Sequence, residues 1–137
     1  MTIIQNQVSI DKPVAEVYAF LADCNNHEQL MPSSVYSWSS TQDEAQFTIQ
    51  NMAKLALKVD SRQEKSEVVL VPSEKAPFDV SVRWSVKPQG DNSTVAKLVI
   101  EADLPVMMKM LAASPLQKLV DEQVTNLRKA LQKAAIK

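Results

Sequence analysis

Cys24 and His27 stand three residues apart. At that separation an imidazole can take a thiol proton and leave a nucleophilic thiolate. The pair falls at the fraying end of a helix, where both side chains read as surface or half-buried bystanders, and Glu28 beside His27 does not alter this. They are the sequence's one cysteine and one histidine. A His/Cys metal cluster and an internal disulfide are therefore excluded. The single glycine, Gly90, cannot build a glycine-rich phosphate cradle. No metal and no cofactor is expected.

Four other groups invite a chemical reading. Arg83, Glu101 and Asp79 occupy alternate-face positions of late strands, where cross-strand ion pairing on a wet face accounts for them better than acid/base work. Gln123 interrupts an apolar helical stripe; it either orients a ligand inside a cavity or meets water on the flank. Met107, Met108 and Met110 gather with Leu104 and Leu111. Methionine is flexible and polarizable, so the group suits either an adaptable pocket or plain core filling. Lys109 among them would meet a ligand carboxylate at an entrance. Trp38, Phe47, Phe78 and Trp84 are most of the large aromatics in a chain with 5% aromatic content. They stack on a ligand or complete a core.

These residues must be placed by elements legible in the pattern. Ile4, Val8 and Ile10 alternate with Gln5, Gln7 and Ser9, which predicts a half-buried strand. Asp11-Lys12-Pro13 opens a helix carrying Val14, Val17, Tyr18 and Leu21, with Asp11 as its cap. A second short helix is predicted over 26–30, closed before Pro32. Tyr36 and Trp38 hint at a strand, period-two alternation recurs over Ala45–Ile49, Ala53–Val59, Phe78–Val86 and Thr94–Ile100, and Val68-Val69-Leu70-Val71 is a short apolar run. Short connections, including Asn51-Met52, a loop bounded by Pro72 and Pro77, and Pro88-Gln89-Gly90-Asp91-Asn92, predict an antiparallel meander. Ser114-Pro115-Leu116-Gln117 reads as a capping box. It predicts a break between a helical turn over 105–113, capped by Asp103, and a closing helix with Leu116, Val120, Val124, Leu127 and Leu131 on one face. That helix of about twenty residues spans roughly 30 Å.

At 137 residues the chain is read as one domain, 1–137. Apolar residues make up 45%, enough for a core, and the net charge of −1 argues against a nucleic-acid partner. No stretch approaches the ~20 apolar residues of a membrane span. The start, Met1–Asn6, lacks a signal-peptide pattern. The cytoplasm is the expected location.

The order strand, helix, short helix, six strands, long helix resembles the helix-grip proteins, the Bet v 1-like and START-related superfamily that includes polyketide cyclase/dehydrase-like members. Lys12-Pro13-Val14-Ala15-Glu16-Val17-Tyr18-Ala19-Phe20-Leu21-Ala22-Asp23, Leu30-Met31-Pro32 and the closing Leu119–Leu131 helix carry the resemblance over nearly the whole chain. It implies an α+β fold in which a curved seven-stranded antiparallel sheet wraps around the C-terminal helix. It also implies a cavity for lipids, sterols, polyketides or other apolar molecules. The glycine-rich loop of plant Bet v 1-type members is missing, so functions tied to that loop are not carried over. The ligand-facing residues expected are Leu30, Trp38, Phe47, Leu57, Trp84, Leu98, Met107, Met110, Leu111, Leu119 and Gln123. The leading expectation is a non-enzymatic binder or carrier of a small apolar molecule. A cyclase or dehydratase, whose acid/base candidates are Tyr18 and Gln123, stays open, as does a co-chaperone-like interaction module or homodimer.

Overall fold

A computed structural model describes residues 2–50, 53–76 and 78–135. The Asn51-Met52 turn and Pro77 lie outside the described residues. Strand β1 (Thr2–Ile10) is followed by helix α1 (Val14–Leu21) and a short 3₁₀ helix (Cys24–Leu30). Six strands come next: β2 (Val35–Ser40), β3 (Glu44–Ile49), β4 (Ala53–Gln63), β5 (Glu67–Pro72), β6 (Asp79–Gly90) and β7 (Ser93–Asp103). Helix α2 (Val106–Ala135) closes the chain. The strands form one seven-stranded sheet in the order β1-β7-β6-β5-β4-β3-β2, every pair antiparallel. The sheet curls into a half-barrel and α2 lies against its concave face, the helix-grip arrangement.

Alternation decides which side is wet. In β7, Thr94, Ala96, Leu98, Ile100 and Ala102 are buried and every residue between them is more exposed. Leu116, Leu119, Val120, Val124, Leu127 and Leu131 of α2 meet this face and are buried. Full burial of each aliphatic side chain stabilises the fold by about 1.5–3 kcal/mol. On the outer face Arg83 pairs with Glu67 at 3.3 Å, diagonally across the β5–β6 ladder. Asp79 stands opposite Asp103 instead of a base.

Three expectations about the helices need correction. Asp11 does not cap α1; Pro13 holds the cap position and no side chain bonds there. The short helix begins at Cys24, two residues earlier than predicted, because Asp23 caps it by accepting from the Asn25 N–H at 2.9 Å. The predicted break at Ser114-Pro115 is absent, and α2 runs through Pro115 for 30 residues. Proline lacks the N–H that would reach the Leu111 carbonyl. Leu111, Ser114 and Pro115 are all exposed, so water can satisfy that carbonyl. Leu104 and Leu116, buried on either side, hold the segment in line.

Candidate functional site

The sheet and α2 do not meet everywhere. Between them lies a cavity of about 50 Å³. Ala45, Phe47 and Ile49 of β3 and Leu55 of β4 form one wall. Leu70, Val80, Val82, Ile100 and Ala102 of β5–β7 continue it, with Phe78 just ahead of β6. Leu116, Leu119 and Gln123 of α2 roof it. His27, Met31 and Trp38 close one side. A surface hollow of about 270 Å³, bordered by Pro32–Ser34 and by Ser114, Pro115, Lys118, Leu119 and Glu122, lies outside the cavity. Leu119 borders both spaces and so forms part of the wall between them.

Local structure explains how each polar or aromatic group arrives there. The short helix has three residues per turn, which stacks Cys24, His27 and Leu30 on one face, all buried. Arg62 of β4 ties the start of this helix to the sheet. Its guanidinium donates to the Ala22 carbonyl at 2.9 and 3.0 Å, to the Gln42 carbonyl at 3.1 Å and to Asp43 Oδ1 at 2.8 Å. At the other end, Asn126 of α2 donates to the Leu30 carbonyl at 2.9 Å. His27 is thereby held between α1 and α2, and its Nε2–H donates to the Leu21 carbonyl at 2.8 Å. Burial lowers the imidazole's tendency to take a proton, outweighing the Leu21 carbonyl and Asp23. The neutral ring therefore keeps its proton on Nε2, and Nδ1 is its acceptor.

Trp38 reaches the cavity through a bulge. The register steps from Tyr36↔Thr48 to Ser39↔Gln46, so β2 carries one extra residue opposite Phe47. Ser37 takes the strain with φ 56°. Such a bulge re-aims a side chain: Trp38 stacks on Phe47 with centroids 5.2 Å apart and planes 15° from parallel. The indole N–H donates to Ser40 Oγ at 2.9 Å, whose hydroxyl donates to Asn25 Oδ1 at 2.7 Å.

Of the residues singled out from sequence, Trp38, Phe47, Phe78, Leu119 and Gln123 come together around the cavity. Leu30, Leu57, Trp84 and Leu98 are buried elsewhere in the core. Trp84 is the next inward-facing residue after Val82, and its indole N–H has no hydrogen-bond partner among the described residues. Met107, Met110 and Leu111 lie apart from the cavity, on a solvent-facing stretch of α2, with 78%, 85% and 76% of their surface exposed. Met108 is half-buried against the core. Tyr18 faces a different surface groove, with Ala15, Ala19 and Arg62. Cys24 and His27 are not surface bystanders. Both are buried, and His27 bonds to Leu21, not to the thiol. Burial pushes the Cys24 thiol up to about 11, so it is no thiolate nucleophile. His27 and Met31 were not singled out as site residues. The three-residue spacing of Cys24, His27 and Leu30 was the available signal for the histidine.

The family model for polyketide cyclase/dehydrase and lipid transport matches residues 1–132. The chain belongs to this family. Solved structures share the fold. A Thermus thermophilus protein, TTHA0849, superposes with a TM-score of 0.79 at 14% identity, covering 97% of this chain and 99% of that one. A conserved protein from Geobacillus kaustophilus gives a TM-score of 0.72 at 15% identity, covering 97% of each chain. A START superfamily protein from Mycobacterium smegmatis gives 0.64 at 15%, covering 93% and 98%. At these identities the likeness establishes fold alone. Among curated proteins none matches the sequence. No helix among the described residues is long and apolar enough to cross a membrane.

Proposed function

We propose that this chain binds a small, largely apolar molecule in the cavity between the sheet and α2. The observation that carries the reading is a partly enclosed space with aliphatic and aromatic walls. Among the described residues lining it, His27 and Gln123 are the only hydrogen-bonding side chains apart from the Trp38 indole, which is engaged with Ser40. Apolar walls with a few placed polar groups are how small-molecule sites are built. At about 50 Å³ the space is well short of the roughly 300–1,000 Å³ of a drug-sized pocket. A larger ligand therefore enters only if the walls move apart.

The test is native mass spectrometry with dye displacement across a panel of lipids, sterols and aromatic compounds. The wild type is expected to bind at least one class. Ala45→Leu, which adds volume to a wall residue, is expected to weaken that binding about tenfold or more while the protein stays folded. A wild type that binds nothing in the panel overturns the proposal, as does a filled variant that binds equally well.

A cyclase or dehydratase reading is favoured by one observation: His27 is a titratable group on the cavity wall. Catalysis would add an acid limb to the pH profile of turnover that His27→Gln abolishes without equal loss of binding.

A further inference from the structure

We infer that the ligand of this cavity is electrically neutral and carries a hydroxyl group that bridges His27 and Gln123. The inference rests on the binding reading above and specifies its ligand class. None of the described residues lining the cavity is Asp, Glu, Lys or Arg. A carboxylate or phosphate brought inside would have no cation to meet, and an unpaired buried charge is strongly disfavoured. Free fatty acids and other anionic lipids are therefore poor fits as ionised species.

The two polar groups present have complementary needs. Both are buried, at 5% exposure each. With Nε2–H committed to Leu21 at 2.8 Å, His27 offers the acceptor Nδ1 and asks for a donor. The Gln123 amide offers two N–H donors. One hydroxyl answers both, donating its proton to the imidazole and accepting from the amide. The Asn126–Leu30 hydrogen bond of 2.9 Å lies three residues along from each of the two groups and keeps the short helix against α2. A pure hydrocarbon would displace water from both groups and return no hydrogen bond, which is where discrimination against it arises.

Phenol, benzene and benzoate are matched probes of similar size; each exceeds the resting cavity of about 50 Å³ and enters as the walls move apart, since benzene needs roughly 150 Å³. Their binding is compared by ligand-observed NMR at mildly alkaline pH, where His27 is neutral. Phenol is expected to bind about tenfold tighter than benzene, the worth of one net hydrogen bond, and benzoate more weakly than phenol by at least the same factor. In Gln123→Leu the preference of phenol over benzene is expected to shrink to about threefold or less, while benzene binding persists. Equal binding of phenol and benzene by the wild type overturns the inference and leaves the cavity-binding reading standing. So does benzoate binding as tightly as phenol, or a Gln123→Leu variant with the preference intact. Failure of all three probes also overturns it, and the dye-displacement panel then decides separately whether the cavity binds anything.

Discussion

His27 couples the site to pH. In an unfolded chain the imidazole titrates near 6.5, and burial lowers this value in the native protein. Between the two values the unfolded state holds a proton that the native state lacks, so stability rises with pH across that window. His27's contribution is complete above about 6.5 and is lost as the pH falls below it, levelling off under the native value. Denaturant midpoints measured down a pH series are expected to fall faster for the wild type than for His27→Gln. Parallel curves would show that the ring is not held neutral. Trp84 makes the opposite kind of residue-scale case, because its N–H is buried without a partner among the described residues. Trp84→Phe loses packing but also removes an orphan donor that costs about 1–3 kcal/mol. Urea unfolding is expected to place it within about 1 kcal/mol of the parent, against a loss of about 3–5 kcal/mol for Trp84→Ala. A loss in Trp84→Phe as large as in Trp84→Ala would contradict this. At this scale the sequence was only partly legible. Gln123 stood out because it broke an apolar stripe. Trp38 had no clean alternation to place it, since the bulge at Ser37 breaks the period on which that reading depends. His27 is hidden because a 3₁₀ period of three matches neither the strand period of two nor the α-helical period of 3.6.

At the scale of elements, α2 departs most from its sequence reading. Ser-Pro inside a helical pattern looks like a stop followed by a new cap, since proline removes a donor and crowds the preceding turn. The fold carries the helix through because residues on both sides are packed and the unpaired carbonyl faces water. The cost remains, however, and it falls on the exposed turns ahead of Pro115. Pro115→Ala would restore the N–H to the Leu111 carbonyl. Hydrogen exchange is expected to slow by about tenfold across 106–114, with overall stability rising by about 1 kcal/mol, less than the roughly 3 kcal/mol of a buried interior proline. Unchanged exchange in that segment would show that Pro115 does not weaken it. The methionines of these turns also show a limit of compositional reading. Met107 and Met110 belong to an apolar cluster in sequence, but they lie on the solvent-facing side of α2, while Met108 between them packs against the core.

The whole molecule was legible in outline because its architecture rests on period. Alternation over β3, β4, β6 and β7, the turn signal that closes on Asp91-Asn92 and the stripe from Leu116 to Leu131 all specify inward and outward faces, and seven antiparallel strands around a helix follow. The hollow is a different matter. Apolar inward residues are required whether the interior is packed or open, so no binary pattern distinguishes the two. The cavity lies between the sheet and α2, and its extent depends on side-chain sizes at Ala45, Ala102 and their neighbours. The central claim is that this space receives a ligand. Methyl-resolved NMR, recorded while titrating the tightest binder from the dye-displacement panel, tests it most directly. Saturable shifts are expected at Ile49, Leu55, Ile100 and Leu119, with Ile3 and Leu131 unmoved. Shifts confined to Val106 and Leu111 on the exposed end of α2, with the cavity methyls silent, would contradict it.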